Sequence, residues 1–176
     1  MGEWNPWRVK VLSIFLKSHY GNSRLSARQI LQDPILFLAF GFGSGLIKKM
    51  PGTLGTVAAI PLYWLLIQTN DWIYLTVTLV CSLVGIVICD KAAIKLQVHD
   101  YGGIVWDEIA GFLITMCWVP FSWQSLLAGF ALFRFLDIVK PWPIRWLDQH
   151  VQGGLGIMID DVVAGIIATI MIELLF

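Results

Sequence analysis

The sequence predicts an all-α integral membrane protein, and three observations favour this fold class. Hydrophobic residues make up 57% of its 176 residues and charged residues only 14%, with a mean hydropathy of +0.74. Soluble domains carry roughly 25% charged residues, so this chain has too few charges to cover a surface in water. Long apolar segments also recur along the chain, and most Lys and Arg residues fall in one set of the loops between them.

The overall charge and the cysteines exclude several classes of protein. Twelve Lys and Arg residues balance twelve Asp and Glu residues, so no basic surface is expected and nucleic acid is not a predicted partner. Cys81, Cys89 and Cys117 lie in apolar segments without a C-x-x-C pair. They are therefore predicted to be buried side chains rather than a redox or metal site. The length fits a single domain.

The first 33 residues are predicted to form an amphipathic segment on the cytoplasmic side, followed by a membrane-embedded domain over residues 34–176. Trp4, Trp7 and Val11 recur at helical spacing, as expected of a helix that lies in the membrane interface. A helix that docks onto a partner protein is the alternative. The segment lacks the apolar region and small-residue cleavage site of a signal peptide.

Six apolar segments follow, and the first differs from the others. Pro34–Ile47 is only about 14 residues long and contains several glycines, which is typical of a re-entrant element rather than a crossing. The other segments approach the roughly 20 residues that a membrane crossing needs. They are Leu54–Gln68, Trp72–Cys89, Ile104–Val119, Trp123–Ile138 and Ile157–Leu175. We therefore expect a bundle of about five transmembrane helices preceded by a short re-entrant hairpin.

Charge placement orients these helices. Basic residues precede the first segment and recur in alternate loops, whereas the turns Thr69–Asp71 and Pro120–Ser122 contain none. The positive-inside rule places the basic loops in the cytoplasm and the two bare turns outside. This assignment requires Pro34–Ile47 to enter and leave on the same side, which independently favours the hairpin. Trp72, Trp118 and Trp123 would then mark the outer interface and Trp106, Trp142 and Trp146 the inner one.

With this topology most carboxylates fall near the cytoplasmic helix ends. They include the adjacent pairs Asp107–Glu108 and Asp160–Asp161, together with Asp137 and Asp100. Acidic residues near helix N-termini can simply complement the helix dipole, an alternative that fits the two pairs but not Asp137, in the last turn of its helix. A local ion pair of Asp137 with Arg134 or Lys140 is possible. Clustered carboxylates without His or Cys indicate a hard cation such as Mg²⁺ rather than zinc.

Glycine-rich stretches and basic residues provide anion donors on the same side. Pro51–Thr56 (PGTLGT) opens a helix, with Thr53 as the expected N-cap, and Gly153–Gly156 precedes the helix that carries Asp160 and Asp161. Packing of helices through small residues is the alternative. Candidate phosphate-binding residues are Thr53, Lys48, Lys49, Arg134 and Arg145, with Lys140 among the catalytic candidates. His99 beside Asp100 is a candidate acid–base group, although a solvated loop histidine is the simpler interpretation.

Several stretches resemble the phosphatidylglycerophosphatase A family. They are Gly41–Leu46 (GFGSGL), Pro51–Thr56 (PGTLGT), His99–Gly111 (HDYGGIVWDEIAG), Phe133–Ile144 (FRFLDIVKPWPI) and Gly153–Gly165 (GGLGIMIDDVVAG). The likeness runs from about Pro34 to the C-terminus. It implies a multi-pass lipid phosphatase of the bacterial inner membrane that depends on Mg²⁺ and faces the cytoplasm. The implied substrate is the phospholipid phosphatidylglycerophosphate, cleaved to phosphatidylglycerol and inorganic phosphate.

The resemblance also points to particular residues. These are Asp107 and Glu108, Asp137 and Lys140, and Asp160 and Asp161, with Asp100 and Thr53 as second-tier positions. We expect Asp107, Glu108, Asp160 and Asp161 to hold one or two Mg²⁺ ions, and Lys140, with Arg134, to neutralise phosphoryl charge.

The residues themselves limit the mechanism. A cysteine phosphatase needs C-x₅-R and a histidine phosphatase of lipids needs R-x₅-H-x₃-D, and neither pattern occurs. A covalent intermediate on Cys or His is therefore not expected. An activated water is favoured as the nucleophile, with an aspartate as the alternative. In another functional class, a small cation-coupled transporter would use the acidic cluster as an ion site, with carboxylates near mid-span.

Overall fold

The computed structural model describes residues 25–98 and 101–175, which form α-helices, one 3₁₀ segment and no strand. The elements in chain order are α1 (Ala27–Gln32), α2 (Pro34–Ala39), a 3₁₀ segment (Gly41–Leu46), α3 (Pro51–Leu66), α4 (Asp71–Leu96), α5 (Trp106–Thr115), α6 (Trp123–Val139), α7 (Ile144–His150) and α8 (Gly153–Glu173). The all-helical class is confirmed. The interfacial helix expected around Trp4 and Trp7 lies outside the described residues.

Helix α5 is the centre of the bundle, packed against α3, α4, α6 and α8. It has ten residues, most of them buried, and is shorter than the Ile104–Val119 span that the sequence predicts. Ten residues rise about 15 Å, half of the roughly 30 Å hydrocarbon layer. The helix ends at Thr115, and the chain beyond it does not resume a helix before Pro120, because Trp118 adopts a left-handed conformation (φ 61°). Apolarity alone could not locate this stop.

Two of the described helices, α4 and α8, are long and apolar enough to cross a membrane, with mean hydropathies of 2.3 and 2.1. Their contacts show that they run antiparallel. The backbone N–H of Gly154 at the start of α8 donates to Asp90 Oδ1 near the end of α4, at 3.1 Å. The Tyr74 hydroxyl near the start of α4 donates to the Leu113 carbonyl near the end of α5, at 2.7 Å. The starts of α5 and α8 therefore lie at the same end of the bundle.

The segment predicted to be a re-entrant hairpin consists of two short elements, α2 and the 3₁₀ segment, and the second of them is kinked. Phe42 and Gly43, inside the 3₁₀ segment, have φ values of 58° and 97°, a non-helical conformation that kinks the segment. Gly45 packs directly against the carbonyl of Gly103, and the N–H of Val105 donates to the Ala39 carbonyl at 2.8 Å. A side chain at Gly45 would overlap that carbonyl. The kinked segment therefore packs against the loop that leads into α5.

The start of the described chain is attached to the same bundle. Asp33 caps α2 by accepting from the backbone N–H groups of Ile35 and Leu36, and it pairs with Lys95 at the end of α4. Burial opposes ionisation of Asp33, but these hydrogen bonds outweigh it and lower its pKa. Ile30 of α1 is buried in the core. Cys89 and Cys117 are buried and Cys81 is half-buried, in line with the sequence prediction, and none of the three forms a disulfide.

Candidate active site

A pocket of about 220 Å³ lies where the start of α5, the end of α6 and the third turn of α8 meet. Its lining includes the five carboxylates that the sequence singles out, Asp107, Glu108, Asp137, Asp160 and Asp161. Lys140 and Asp148 complete its charged wall, while Ile104, Val151 and Ile157 form an apolar part. The structure thus brings together acidic residues that are up to 54 positions apart in the chain.

Helix geometry explains how the five carboxylates converge. Asp107 and Glu108 occupy the first turn of α5, where Asp107 Oδ1 accepts from the backbone N–H of Glu108 at 3.1 Å. Asp160 and Asp161 lie two turns inside α8, beyond the reach of its N-terminus. The dipole-capping alternative therefore fits Asp107 but not the second pair, which is buried with 6% and 3% exposure.

Two overlapping groups of carboxylates have the spacing of a metal site. One consists of Asp107, Glu108 and Asp161, the other of Asp137, Asp160 and Asp161, and within each group one oxygen per residue lies within 4.8 Å of the others. Asp161 belongs to both groups. Three buried oxygens of this cluster, Glu108 Oε2, Asp160 Oδ1 and Asp161 Oδ1, have no hydrogen-bond partner among the described residues. Buried carboxylate oxygens without partners are costly unless they bind a cation.

Arg134 and Asp137 form the ion pair that the sequence suggested, at i and i+3 on α6. Arg134 Nη1 lies 2.6 Å from Asp137 Oδ2 and 3.8 Å from Glu108 Oε1. The pair explains how an anion is tolerated in the last turn of a helix, where the dipole opposes it. It also places a guanidinium at the edge of the acidic cluster.

Lys140 is shared by two carboxylates. Its Nζ donates to Asp160 Oδ2 and to Asp148 Oδ1, each at 2.6 Å. Burial alone would lower the pKa of Lys140, but the two carboxylates outweigh it and raise the pKa above its ordinary value. The ammonium therefore stays charged at neutral pH. Asp148 was not among the residues selected from the sequence, where it is one of many acids on the cytoplasmic side.

Gly52 is a second residue that the sequence analysis did not select as a site residue. A methyl group on its Cα would overlap the Glu108 carboxylate and lie 3.0 Å from Arg134 Nη1. The PGTLGT motif therefore contributes a close backbone approach to the site rather than a cap. The signal was present in the sequence as a glycine directly after the proline that opens α3.

The expected cap at Thr53 is wrong. The N-cap of α3 is Met50, in a left-handed conformation (φ 56°), and no side chain caps this helix. Pro51 at the first helical position sets the start earlier than the hydroxyl pattern suggested, so Thr53 lies within the first turn, half-buried. Thr53 does not line the pocket.

At the expected anion site Gly153–Gly156, one backbone donor is already occupied. The backbone N–H of Gly154 donates to the Asp90 carboxylate, so this donor at the start of α8 is not available to a bound anion. Gly154 also packs against the Ile86 carbonyl of α4. This glycine-rich stretch serves the packing of α8 on α4.

The remaining candidates lie away from the pocket or outside the described residues. Lys48, Lys49 and Arg145 are exposed and do not line it. His99 and Asp100 lie outside the described residues. The pocket itself is therefore built from the acidic residues, Lys140 and, at its edge, Arg134.

Comparisons with known proteins agree with the motifs. The family described as phosphatidylglycerophosphatase A matches residues 37–176. A phosphatidylglycerophosphatase A of Escherichia coli (strain K12) is 48% identical over 144 residues, covering 81% of this chain and 83% of its own length. The protein of the same name from Haemophilus influenzae is 49% identical, covering 81% and 88%. A protein of Bacteroides thetaiotaomicron, provisionally named phosphatidylinositol-3-phosphatase, is 38% identical, covering 79% and 91%. No solved structure matches the chain.

Proposed function

The chain belongs to the phosphatidylglycerophosphatase A family, and we propose that its acidic pocket is the site where it hydrolyses phosphatidylglycerophosphate to phosphatidylglycerol and inorganic phosphate. The observation that carries the proposal is the charge of the pocket. Among the described residues, six carboxylates surround two cations, Lys140 and Arg134, which leaves a formal charge of −4 when all are ionised. A phosphate monoester would be repelled from such a pocket unless a further cation were bound there.

The donor set fits Mg²⁺. Hard carboxylate oxygens are the protein ligands that Mg²⁺ prefers, and neither metal group contains His or Cys. Asp107, Glu108 and Asp161 would hold one ion, and Asp137, Asp160 and Asp161 a second, with Asp161 common to both. Bound Mg²⁺ would supply charge neutralisation at the phosphate and a lowered pKa for a bound water.

The residues of the chain then have separate tasks. Lys140 and Arg134 lie at the edge of the cluster, where they can pair with phosphoryl oxygens as negative charge shifts to the leaving oxygen. One carboxylate of the cluster orients the attacking water and takes its proton. The new P–O bond forms to that water, the bond to the glycerol oxygen breaks, and the glycerol oxygen gains a proton. An aspartate nucleophile is the alternative.

The same proposal includes the membrane topology. We propose that α3, α4, α5 with its flanking loops, α6 and α8 cross the bacterial inner membrane, that the segment Pro34–Ile47 is re-entrant, and that the pocket faces the cytoplasm. Lys91, Lys95 and Lys140 lie at the pocket end of the bundle. Trp72, Trp118 and Trp123 are exposed at the opposite end, as expected of an interfacial aromatic belt. Exposed apolar residues of α4 between these ends, such as Leu79, Leu83 and Val87, fit a lipid-facing surface.

Phosphate release from purified protein tests the proposal. Protein in mixed micelles with phosphatidylglycerophosphate labelled in the terminal phosphate is assayed with Mg²⁺ and with EDTA, and phosphatidylinositol 3-phosphate serves as the comparison lipid. We expect Mg²⁺-dependent release that EDTA abolishes and that excess Mg²⁺ restores. Equal release in EDTA would contradict the metal site. The transporter alternative finds no support in the comparisons, because the three relatives named above bear phosphatase names.

A further inference from the structure

Lys140 is held in an unusual way for a residue of the charged wall. It is the C-cap of α6, with φ 46° and ψ 61°, and its backbone N–H donates to the Leu136 carbonyl at 2.8 Å. This left-handed conformation is sterically unfavourable for a residue with a Cβ atom, and Pro141 follows directly. The backbone therefore departs from α6 at Lys140, and its side chain reaches Asp160 on α8 and Asp148 on α7.

The two carboxylates that share the ammonium differ in their surroundings. The Asp160 side chain is 9% exposed and belongs to a metal group, whereas the Asp148 side chain is 36% exposed and belongs to neither. Asp148 lines the pocket from the short helix α7. If Asp160 were the sole partner of Lys140, the ammonium would compete with the proposed metal for the Asp160 carboxylate. The second carboxylate gives the ammonium an alternative partner on the solvent side of the pocket.

We infer that Asp148 is a positioning residue, which holds the Lys140 ammonium at the mouth of the pocket where the phosphate of the lipid binds. The inference rests on the proposed function, since it assigns Lys140 to the phosphate. Lysine has a long side chain with a high rotamer entropy, so a fixed hydrogen bond to Asp148 reduces the cost of ordering it when phosphate binds. Asp148 acts through Lys140 and need not contact the substrate.

Electrostatics alone would give the opposite result. Asp148 is an anion near a phosphate, and its removal would lower repulsion and tighten binding. Its side chain is more than a third exposed, however, so its repulsion of a phosphate is screened by water, whereas its hydrogen bond to Lys140 is direct at 2.6 Å. We therefore expect the positioning effect to exceed the repulsion.

Product inhibition and a double-mutant cycle test the inference. The KM for phosphatidylglycerophosphate and the Ki of inorganic phosphate are measured at saturating Mg²⁺ for the wild type, Asp148→Asn, Asp148→Glu, Lys140→Met and the double variant. We expect Asp148→Asn to raise both constants about fivefold with kcat within about twofold, the effect of losing one charge-assisted hydrogen bond. Asp148→Glu should recover most of the affinity. In the Lys140→Met background, Asp148→Asn should have no further effect, because coupled residues are non-additive.

Asp71→Asn is the matched control, an exposed aspartate at the opposite end of the bundle, and it should leave both constants unchanged. Additive effects of Asp148→Asn and Lys140→Met, or a lowered KM in Asp148→Asn, would overturn the inference while leaving the proposed function intact. A fall in thermal stability together with kcat, at unchanged Ki for phosphate, would also overturn it. A wild-type protein that releases no phosphate would overturn both.

Discussion

Gly52 shows how one missing side chain shapes the site. The Glu108 carboxylate and the Arg134 guanidinium both lie against its Cα, so the first turn of α3 closes one side of the acidic cluster. A larger residue would force Glu108 or Arg134 to move. Because metal and phosphate sites tolerate only small displacements, the position is sensitive even to one methyl group.

We expect Gly52→Ala to lower kcat/KM by about 100-fold, since a misplacement on the order of 1 Å has that effect in catalytic sites. Thr53→Val is the matched control in the same turn, because Thr53 neither caps α3 nor lines the pocket. It should change kcat/KM less than about threefold, because it removes neither a cap nor a pocket contact. Steady-state kinetics with a thermal-unfolding control measure both. Equal losses in the two variants would assign the whole motif to helix packing.

The acidic residues could be predicted from the sequence because a carboxylate is recognisable as a candidate metal ligand from its residue type alone. Asp107, Glu108, Asp137, Asp160 and Asp161 were selected as one cluster, and all five line the pocket. Gly52 and Asp148 were not selected, for a different physical reason. Gly52 matters through its close approach to Glu108 and Arg134 on other helices, and Asp148 through a hydrogen bond to Lys140 that depends on the turn between α6 and α7. Neither contact leaves a local sequence pattern.

At the scale of elements, the start of α8 is fixed by a residue of another helix. Asp90 of α4 accepts from the backbone N–H of Gly154, and Gly154 packs so closely against α4 that no side chain fits. This contact sets the height of α8 along α4. It thereby sets the height of Asp160 and Asp161, which lie two turns further along the same helix.

Removal of the Asp90–Gly154 hydrogen bond should lower the free energy of unfolding more than it lowers kcat. We expect Asp90→Ala to lower the free energy of unfolding by about 1 kcal/mol, the usual contribution of a capping side chain. Asp90→Asn should lower it less, because the amide oxygen still accepts a hydrogen bond. Thermal unfolding in detergent measures both variants. If Asp90→Ala left the unfolding temperature unchanged and only reduced kcat, Asp90 would belong to the site instead.

The length of α5 could not be predicted for a related reason. Apolarity continues through Val119, but α5 ends at Thr115, and the left-handed conformation of Trp118 beyond it is not one that a tryptophan predicts. The same holds for Thr53, whose hydroxyl is a plausible cap by residue type alone. Helix ends are decided by one or two residues, whereas helix existence rests on many.

At the scale of the whole molecule, the proposed topology places the two ends of the bundle on opposite sides of the membrane. A reporter fused after Gln97 follows two crossings and the hairpin and should be internal, whereas one fused after Phe176 should be external. The physical reason is the charge bias, because Lys91, Lys95 and Lys140 lie near the pocket end and the turns Thr69–Asp71 and Pro120–Ser122 contain no Lys or Arg.

Enzymatic reporters active only on one side of the inner membrane give this measurement, with fusions after Thr69 and Phe121 as further external points. If the Gln97 and Phe176 fusions reported the same side of the membrane, the proposed number of crossings would be wrong by one. The short helix α5 would then be the first element to reconsider, since only its flanking loops extend it across the layer.

The central claim is that the acidic pocket binds Mg²⁺ and is the place of hydrolysis. The claim requires three things to be correct: the charge of single residues, the convergence of α5, α6 and α8, and the membrane position of the pocket. Asp107 and Asp160 belong to different carboxylate groups, so they test the claim independently. Replacing either with Asn preserves volume and one oxygen but removes the charge that draws a strongly hydrated cation from water.

The most direct test is a Mg²⁺ titration of phosphate release from phosphatidylglycerophosphate by the wild type, Asp107→Asn, Asp160→Asn and the control Asp71→Asn, at equal amounts of inserted protein. We expect both site variants to lose about 100-fold or more of their activity at low Mg²⁺, with insertion unchanged. High Mg²⁺ should partly restore a variant that lost only metal affinity, but not one that lost a proton acceptor. Near-normal turnover of both site variants at low Mg²⁺ would contradict the claim and leave these acids as structural residues.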